Sequence, residues 1–382
     1  YRDYTETGTV NNNFRQESAT PGNILIGAKS DNKINYTDIR ANINYSFKKG
    51  NISFGKDNLI WGYGENSNIV LSNKIPSYPY IRLDYKPLKW LNFNYTHAWL
   101  NSNIADSSLS YFTNTDRIDN DFRLVFVQKY LATHSIEIEA IKGLNIAIGE
   151  SIVYSDKMDP GFLIPINLFK FYDNNRSNYL IEAGSNGQYF LSLSSRNQIK
   201  NTHLYSTLFI DEIKVSAMFN KKESRNQLGF NLGVSITDII IPYLSLGSEY
   251  TRVNPFVYSN LIPAQTYTSY NYSLGDWMGN NFDRFIIFAK YTPIAKLKLV
   301  ARYQKIRKGG GGTIYEQYTA QPQPNFLFDY IKTRTDVFLQ ARYEYINNIY
   351  LTSSLTLMQT KLANDALIKD NTYQLGISVG LP

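Results

Sequence analysis

The chain has 382 residues and no cysteine. Disulfides, thiolate metal sites and cysteine nucleophiles are therefore excluded. Histidine is scarce too: His97, His134 and His203 are the only three. No local motif sets one of them with a nucleophile at a loop rim, so no enzyme activity is expected. Charged residues make up only 19%, below the usual quarter. Long apolar runs are missing as well. No stretch nears the ~20 residues of a membrane helix, and the patch at 239–246 is broken by Pro242 and Tyr243. Asp116, Asp119 and Asp121 lack the spacing and glycine of a calcium loop. The run Gly309 to Gly312 follows no strand-to-helix junction that would cradle phosphate. Neither a metal nor a cofactor is expected. The basic residues form no stripe, which argues against a nucleic-acid partner. The chain begins at Tyr1 without a signal peptide, so it reads as a processed or partial chain.

What the chain has is aromatic residues, 15% in all, with 31 tyrosines and 21 phenylalanines, and a net charge of +7. This composition favours strands over helices. The pattern is period two. From Asn35 to Phe47, Ile39, Ala41, Ile43, Tyr45 and Phe47 share one face, and Arg40, Asn42, Asn44 and Ser46 the other. The same alternation recurs at 80–85, 91–96, 135–140, 213–219, 297–304 and 337–345. Tight turns at Lys48-Lys49-Gly50, Lys142-Gly143, Asp211-Glu212 and Asn347-Asn348 alternate with long polar loops near 57–79, 101–120, 155–177, 253–282 and 306–333. The polar faces carry Arg40, Arg82, Glu249, Arg302, Arg342 and Glu344. A sandwich core would reject such charges, whereas a barrel lumen holds them while the apolar face meets lipid. The expectation is an all-β, transmembrane antiparallel barrel of about 16–18 strands, with short periplasmic turns and long extracellular loops. It fills 1–382 as one domain in the bacterial outer membrane, with an irregular lead-in over 1–33. The inward charges of both signs fit a plugged lumen and an open pore alike.

Two loops carry candidate ligand residues. The first offers Trp61, Tyr63 and Tyr78 for stacking on sugar rings, with Asn66 and Asn68 as amide partners. The competing reading is that Gly62, Gly64 and the prolines fold this loop inward as a plug. The second loop offers Tyr258, Tyr267 and Trp277, and its competing reading is a self-packed cap. Lys305, Arg307 and Lys308, with Lys221, Lys222 and Arg225, could meet lipopolysaccharide phosphate or remain solvated charge.

Several separated segments carry a resemblance. FGKD at 54–57, WG at 61–62, LS at 71–72 and the spaced Pro76 and Pro79 resemble the Wzi-type capsule-assembly outer-membrane barrels. FIDEIKVSAMF (209–219), EYTRVNPFVYSN (249–260) and NFDRFIIFAKY (281–291) resemble the RemB-like gliding-motility branch of Bacteroidota. The resemblance implies a barrel of about eighteen strands that anchors capsular polysaccharide, or an accessory barrel in a gliding, secretion or surface-assembly complex. A pore ranks below both. The partners it implies are outer-membrane lipid and lipopolysaccharide, capsular polysaccharide, and other outer-membrane proteins or lipoproteins.

Overall fold

The computed structural model describes residues 23–30, 33–37, 39–113, 122–179, 184–212, 220, 226–270, 272–310 and 324–380. A separate hairpin, β1 (Asn23–Ser30) and β2 (Lys33–Thr37), comes first. The main wall begins with β3 (Ala41–Phe47), β4 (Gly50–Asp57), β5 (Tyr78–Leu88) and β6 (Leu91–Ala105). A small hairpin of β7 (Tyr111–Phe112) and β8 (Phe122–Arg123) interrupts it. The wall resumes with β9 (Phe126–Ile141), β10 (Leu144–Ser155), β11 (Asn186–Arg196), β12 (Thr202–Glu212), β13 (Gln227–Thr237) and β14 (Leu244–Val253). A second small hairpin, β15 (Thr268–Ser269) and β16 (Tyr272–Ser273), precedes β17 (Phe282–Ile294), β18 (Leu297–Gly309), β19 (Tyr330–Ile346), β20 (Ile349–Leu362) and β21 (Leu367–Val379).

Fifteen of these strands form one sheet whose spatial order follows the chain, with β3 and β21 as its two end strands among the described residues. Each pairs antiparallel with its neighbour. Two-residue links join Phe47 to Gly50, Ile141 to Leu144 and Ile346 to Ile349 at one end. Gly143 and Asn348 take positive φ there, at 81° and 64°, as tight hairpins require. The long connections leave from the opposite end. The loop after β4 donates backbone N–H groups to Glu249 on β14. It therefore crosses the enclosed side of the sheet, which fixes the lumen face.

Register confirms the two faces. Arg82, Thr96, Thr133 and Ser151 lie in one cross-strand row, and Leu83, Tyr95, His134 and Glu150 in the next. The first row faces inward. The outward face carries exposed Ile136, Ile148, Leu191, Leu232, Ile287 and Leu339, the apolar band that a spanning barrel needs.

Glycines on the inward face lie directly opposite aromatic residues, among them Gly149 facing Phe190, Gly233 facing Tyr205 and Gly247 facing Phe288. A Cβ at Gly233 would come within 2.1 Å of the Tyr205 ring. The bare glycines let the rings lie across the neighbouring strand, restoring the apolar cover that glycine lacks.

Several expectations change. The strand from Asn35 to Phe47 is two strands, β2 and β3, that belong to different sheets. β3 stops at Ala41 because its partner Lys56 is near the end of β4. Arg40 consequently leaves the wall, is half exposed and faces Asp57 at 3.6 Å. The lead-in contains β1 and β2, with 1–22 outside the described residues. β12 runs through Asp211 and Glu212 without turning, and residues 213–219 lie outside the described residues, as do Asp116, Asp119, Asp121, Lys221, Lys222 and Arg225. The stretch 155–177 is not only loop, since a helix covers Phe169–Tyr179.

Gly233→Val is expected to push the Tyr205 ring aside and lower stability by about 1–3 kcal/mol, the usual range for overpacking. Urea unfolding in detergent would show it as a lower midpoint, and an unchanged midpoint would refute the packing argument.

Candidate functional site

Two of the chain's own loops fold into the lumen. Residues 58–77 enter from β4 and fold back on themselves. Trp61 N–H donates to the Leu71 carbonyl at 3.0 Å, and Asn58 Nδ2 reaches the Asn73 and Ile75 carbonyls at 3.0 and 3.1 Å. Ile69, Val70, Leu71 and Ile75 are fully buried against Leu131, Val153, Phe190 and Phe209 of the wall. Residues 254–281 enter from β14 and lock onto the first loop. Tyr258 and Tyr267 hydroxyls donate to the Ile69 and Val70 carbonyls at 2.7 and 3.0 Å. Ser72 N–H donates to the Leu274 carbonyl at 2.8 Å, and Ser72 Oγ to Gly275 at 2.6 Å. Burial raises both phenols well above their ordinary range, so each keeps the proton it donates.

Charged groups of the wall fasten this plug. Glu249 Oε2 accepts the Glu65 and Asn66 N–H groups at 3.0 and 3.1 Å and the Tyr205 hydroxyl at 2.6 Å. Arg284 Nη2 meets Asp276 at 2.6 Å with both side chains buried, and Asp276 also accepts the Ser67 hydroxyl at 2.6 Å. Lys129 Nζ donates to the Thr266 carbonyl at 2.6 Å. Lower down, Glu65 pairs with Lys290 at 2.6 Å. Burial disfavours the Glu65 charge, but hydrogen bonds from Lys290 and Ser235 outweigh it and hold the carboxyl below its usual range. Buried charges without such partners would be intolerable.

The sequence-derived candidates now have places. Tyr258, Tyr267 and Trp277 are buried in the second loop, and Tyr78, at the start of β5, is buried against the first. Their ring faces are occupied by protein, with Tyr258 and Tyr267 stacked on each other at 5.5 Å. They are not an outward sugar platform. Trp61 packs against Phe190 at 5.9 Å. Tyr63 is half-buried in the same loop, and the Asn66 Nδ2 and Asn68 Oδ1 atoms are buried without a hydrogen-bond partner among the described residues. Arg82 on the inward face pairs with Asp84 at 2.7 Å. Arg302 lies over Phe338 at 5.3 Å and Arg342 over Tyr350 at 4.2 Å. Glu344 accepts the Asn348 N–H at 3.2 Å, in the short turn. In the basic set, Arg307 pairs with Asp283 and Lys308 donates to the Met278 carbonyl at 3.2 Å.

Sequence reasoning missed an aromatic hairpin at the extracellular end. Tyr111, Phe112 and Phe122 of β7 and β8 are about half exposed or more. Phe112 and Phe122 meet edge to face at 5.0 Å. Arg123 lies 5.6 Å from the Tyr111 ring centroid and donates to its hydroxyl at 2.9 Å. The base is tied by Asp106, which accepts the Ser108 N–H and hydroxyl at 2.9 and 2.6 Å. The signal was the YF and FR pairs flanking an acidic run, inside a segment that otherwise reads as a plain polar loop.

No family model matches the chain, and no curated protein matches it. Solved structures do. Wzi of Escherichia coli, described as a carbohydrate-binding outer-membrane β-barrel involved in group 1 capsule assembly, superposes with a TM-score of 0.62 at 12% identity, over 92% of this chain and 72% of that one. OccK5 (OpdH) of Pseudomonas aeruginosa gives 0.46 at 12% identity, over 90% and 82%. The outer-membrane channel DcaP of Acinetobacter baumannii gives 0.44 at 10%, over 92% and 88%.

Asp276→Ala would leave the buried Arg284 cation uncompensated and is expected to cost about 3–5 kcal/mol, read as a fall in the unfolding midpoint. Removing both charges, as Asp276→Ala with Arg284→Met, should cost less than the single change. In planar bilayers the intact protein should be electrically silent, and replacing residues 60–75 by a short Gly-Ser link should produce conductance. A conducting intact protein would refute the expectation that the two loops close the lumen. With its apolar outer band and two loops folded against the inner face of its wall, the chain is a β-barrel of the bacterial outer membrane.

Proposed function

We propose that this barrel holds a surface polysaccharide, of the capsular class, at its extracellular end. The observation that carries the reading is the division of labour between the loops. The two that fold into the lumen bury Tyr258 and Tyr267 and bind their hydroxyls to the Ile69 and Val70 carbonyls, while the Tyr111–Arg123 hairpin presents its rings to solvent. Flat rings with an adjacent guanidinium suit the apolar faces and hydroxyls of sugar units. The carbohydrate binding that Wzi's description records supports the reading, through the shared fold. A filled lumen favours a holder over a conduit. The segments 249–260 and 281–291, which resemble the gliding-motility branch, supply wall and plug. That part of the resemblance therefore rests on scaffold residues and not on the binding face.

Tyr111→Ala, Phe112→Ala and Phe122→Ala combined are expected to weaken binding to isolated capsular polysaccharide at least tenfold, about 1.4 kcal/mol, with no change in unfolding midpoint. Trp61→Ala should leave polysaccharide binding intact, because that ring packs inside the lumen. Full binding by the triple variant would end the proposal.

A further inference from the structure

The outer wall carries polar side chains where lipid-facing residues are expected. Tyr95 on β6, His134 on β9 and Glu150 on β10 share one outward cross-strand row, continuous with the exposed Ile136 and Ile148 on the same strands. None of the three is bare. The segment between β10 and β11 leaves the rim and folds back down over the outside of the barrel. It contains a 3-10 turn, Pro160–Leu163, and the helix Phe169–Tyr179.

Each outward polar group holds a backbone group of this strap. The Tyr95 hydroxyl donates to the Phe162 carbonyl at 2.9 Å. His134 Nδ1 lies 3.1 Å from the Pro165 carbonyl. The Glu150 carboxylate accepts the Phe169 and Lys170 N–H groups at 2.9 and 2.5 Å, capping the first turn of an eleven-residue helix with an anion. Phe162 and Phe169 are fully buried beneath the strap, among Tyr95, Tyr130, Ala132, Ile152 and Tyr154 of the wall. Gly161 permits this closeness, since a Cβ there would come within 2.2 Å of the Tyr172 ring. Inside the strap, Asn167 Nδ2 donates to the Gly161 carbonyl at 2.9 Å and the Tyr172 hydroxyl to Asp159 at 3.0 Å.

The other side of the strap is apolar. Ile164, Ile166, Leu168 and Phe171 are 52%, 81%, 63% and 73% exposed. They join the exposed Ile148 and Tyr189 of the strands beneath into one surface. Lys170, the cation among them, turns back to Asp173 and the Ser185 carbonyl.

We propose that this strap is a membrane-seated element whose outward side chains insert among the acyl chains of the outer leaflet. The occupant follows from continuity: Ile164, Ile166, Leu168 and Phe171 extend the lipid-facing band of the barrel, and Lys170, which lies among them, is paired with Asp173. Irregular backbone is excluded from lipid unless its polar groups are met elsewhere, and the outward Tyr95, His134 and Glu150 meet them from the wall side. Those polar residues are thus fixings for the strap, and the strap restores the apolar surface they interrupt. An amphipathic element lying in the interface behaves in this way.

The absence of cysteine makes the test direct. Single variants Ile166→Cys, Phe171→Cys, Ile148→Cys and Tyr111→Cys would be labelled with an environment-sensitive fluorophore in the full chain. The protein would be placed in vesicles of phosphatidylethanolamine and phosphatidylglycerol. The labels at 166 and 171 should be quenched by nitroxide-bearing acyl chains to within twofold of the label at 148, and should resist aqueous iodide. The label at 111 should do the reverse. Adding Glu150→Ala should raise iodide quenching at 166 several-fold and leave 148 unchanged. If that variant fails to fold, the labels on the otherwise unaltered wall still decide. Strong iodide quenching at 166 and 171 would overturn the proposal. So would lipid contact in pure vesicles combined with shielding from both quenchers in native outer-membrane fragments, which would assign the face to a protein partner.

Discussion

A barrel wall is one residue thick, and every strand must satisfy two environments at once. Backbone pairing removes the main chain from the problem, because N–H and C=O groups in lipid have no other partner. What remains is side-chain parity. Each odd-even step decides between lipid and lumen, so a single register fixes the Arg82–Thr96–Thr133–Ser151 row inside and the Leu83–Tyr95–His134–Glu150 row outside. The lumen loops and the strap depend on that assignment.

The charged inward positions make sense only with the plug in place. Glu249 and Arg284 are almost fully buried; Glu249 is answered by Glu65 and Asn66, far away in sequence, and Arg284 by Asp276 in the loop that leads into its own strand. The wall and its filling form one electrostatic unit, and neither part is complete alone. The outer side repeats the logic with opposite contents. There the wall supplies polar groups to a segment lying in front of it, and the segment presents hydrocarbon to the surroundings.

The strands were legible in the sequence because period-two alternation is written residue by residue. The alternating short and long connections also survive in the structure, down to the positive φ of Asn348 in its turn. The interior of the long loops was not legible. Burial of Tyr258 and Tyr267 depends on contacts with Ile69 and Val70, nearly two hundred positions away, and nothing local distinguishes such tyrosines from exposed ones. Gly62, Gly64 and the prolines did signal that the first loop was shaped. They could not say against what. The strap was hidden for another reason: its helix has no strong apolar stripe, because its apolar residues lie mainly in the irregular lead before it. Glu150 and His134 sit at outward positions where polar residues look like errors of register until the segment over them is known.

The lock between the two lumen loops bears on assembly. Both ends of each loop are rooted in the wall, so the filling cannot be added afterwards as a separate body. Tyr258 and Tyr267 grip the first loop from the far side, and the strands that carry them flank it. The two loops can therefore reach their buried arrangement only together with the strands that root them, and wall and contents form as one body.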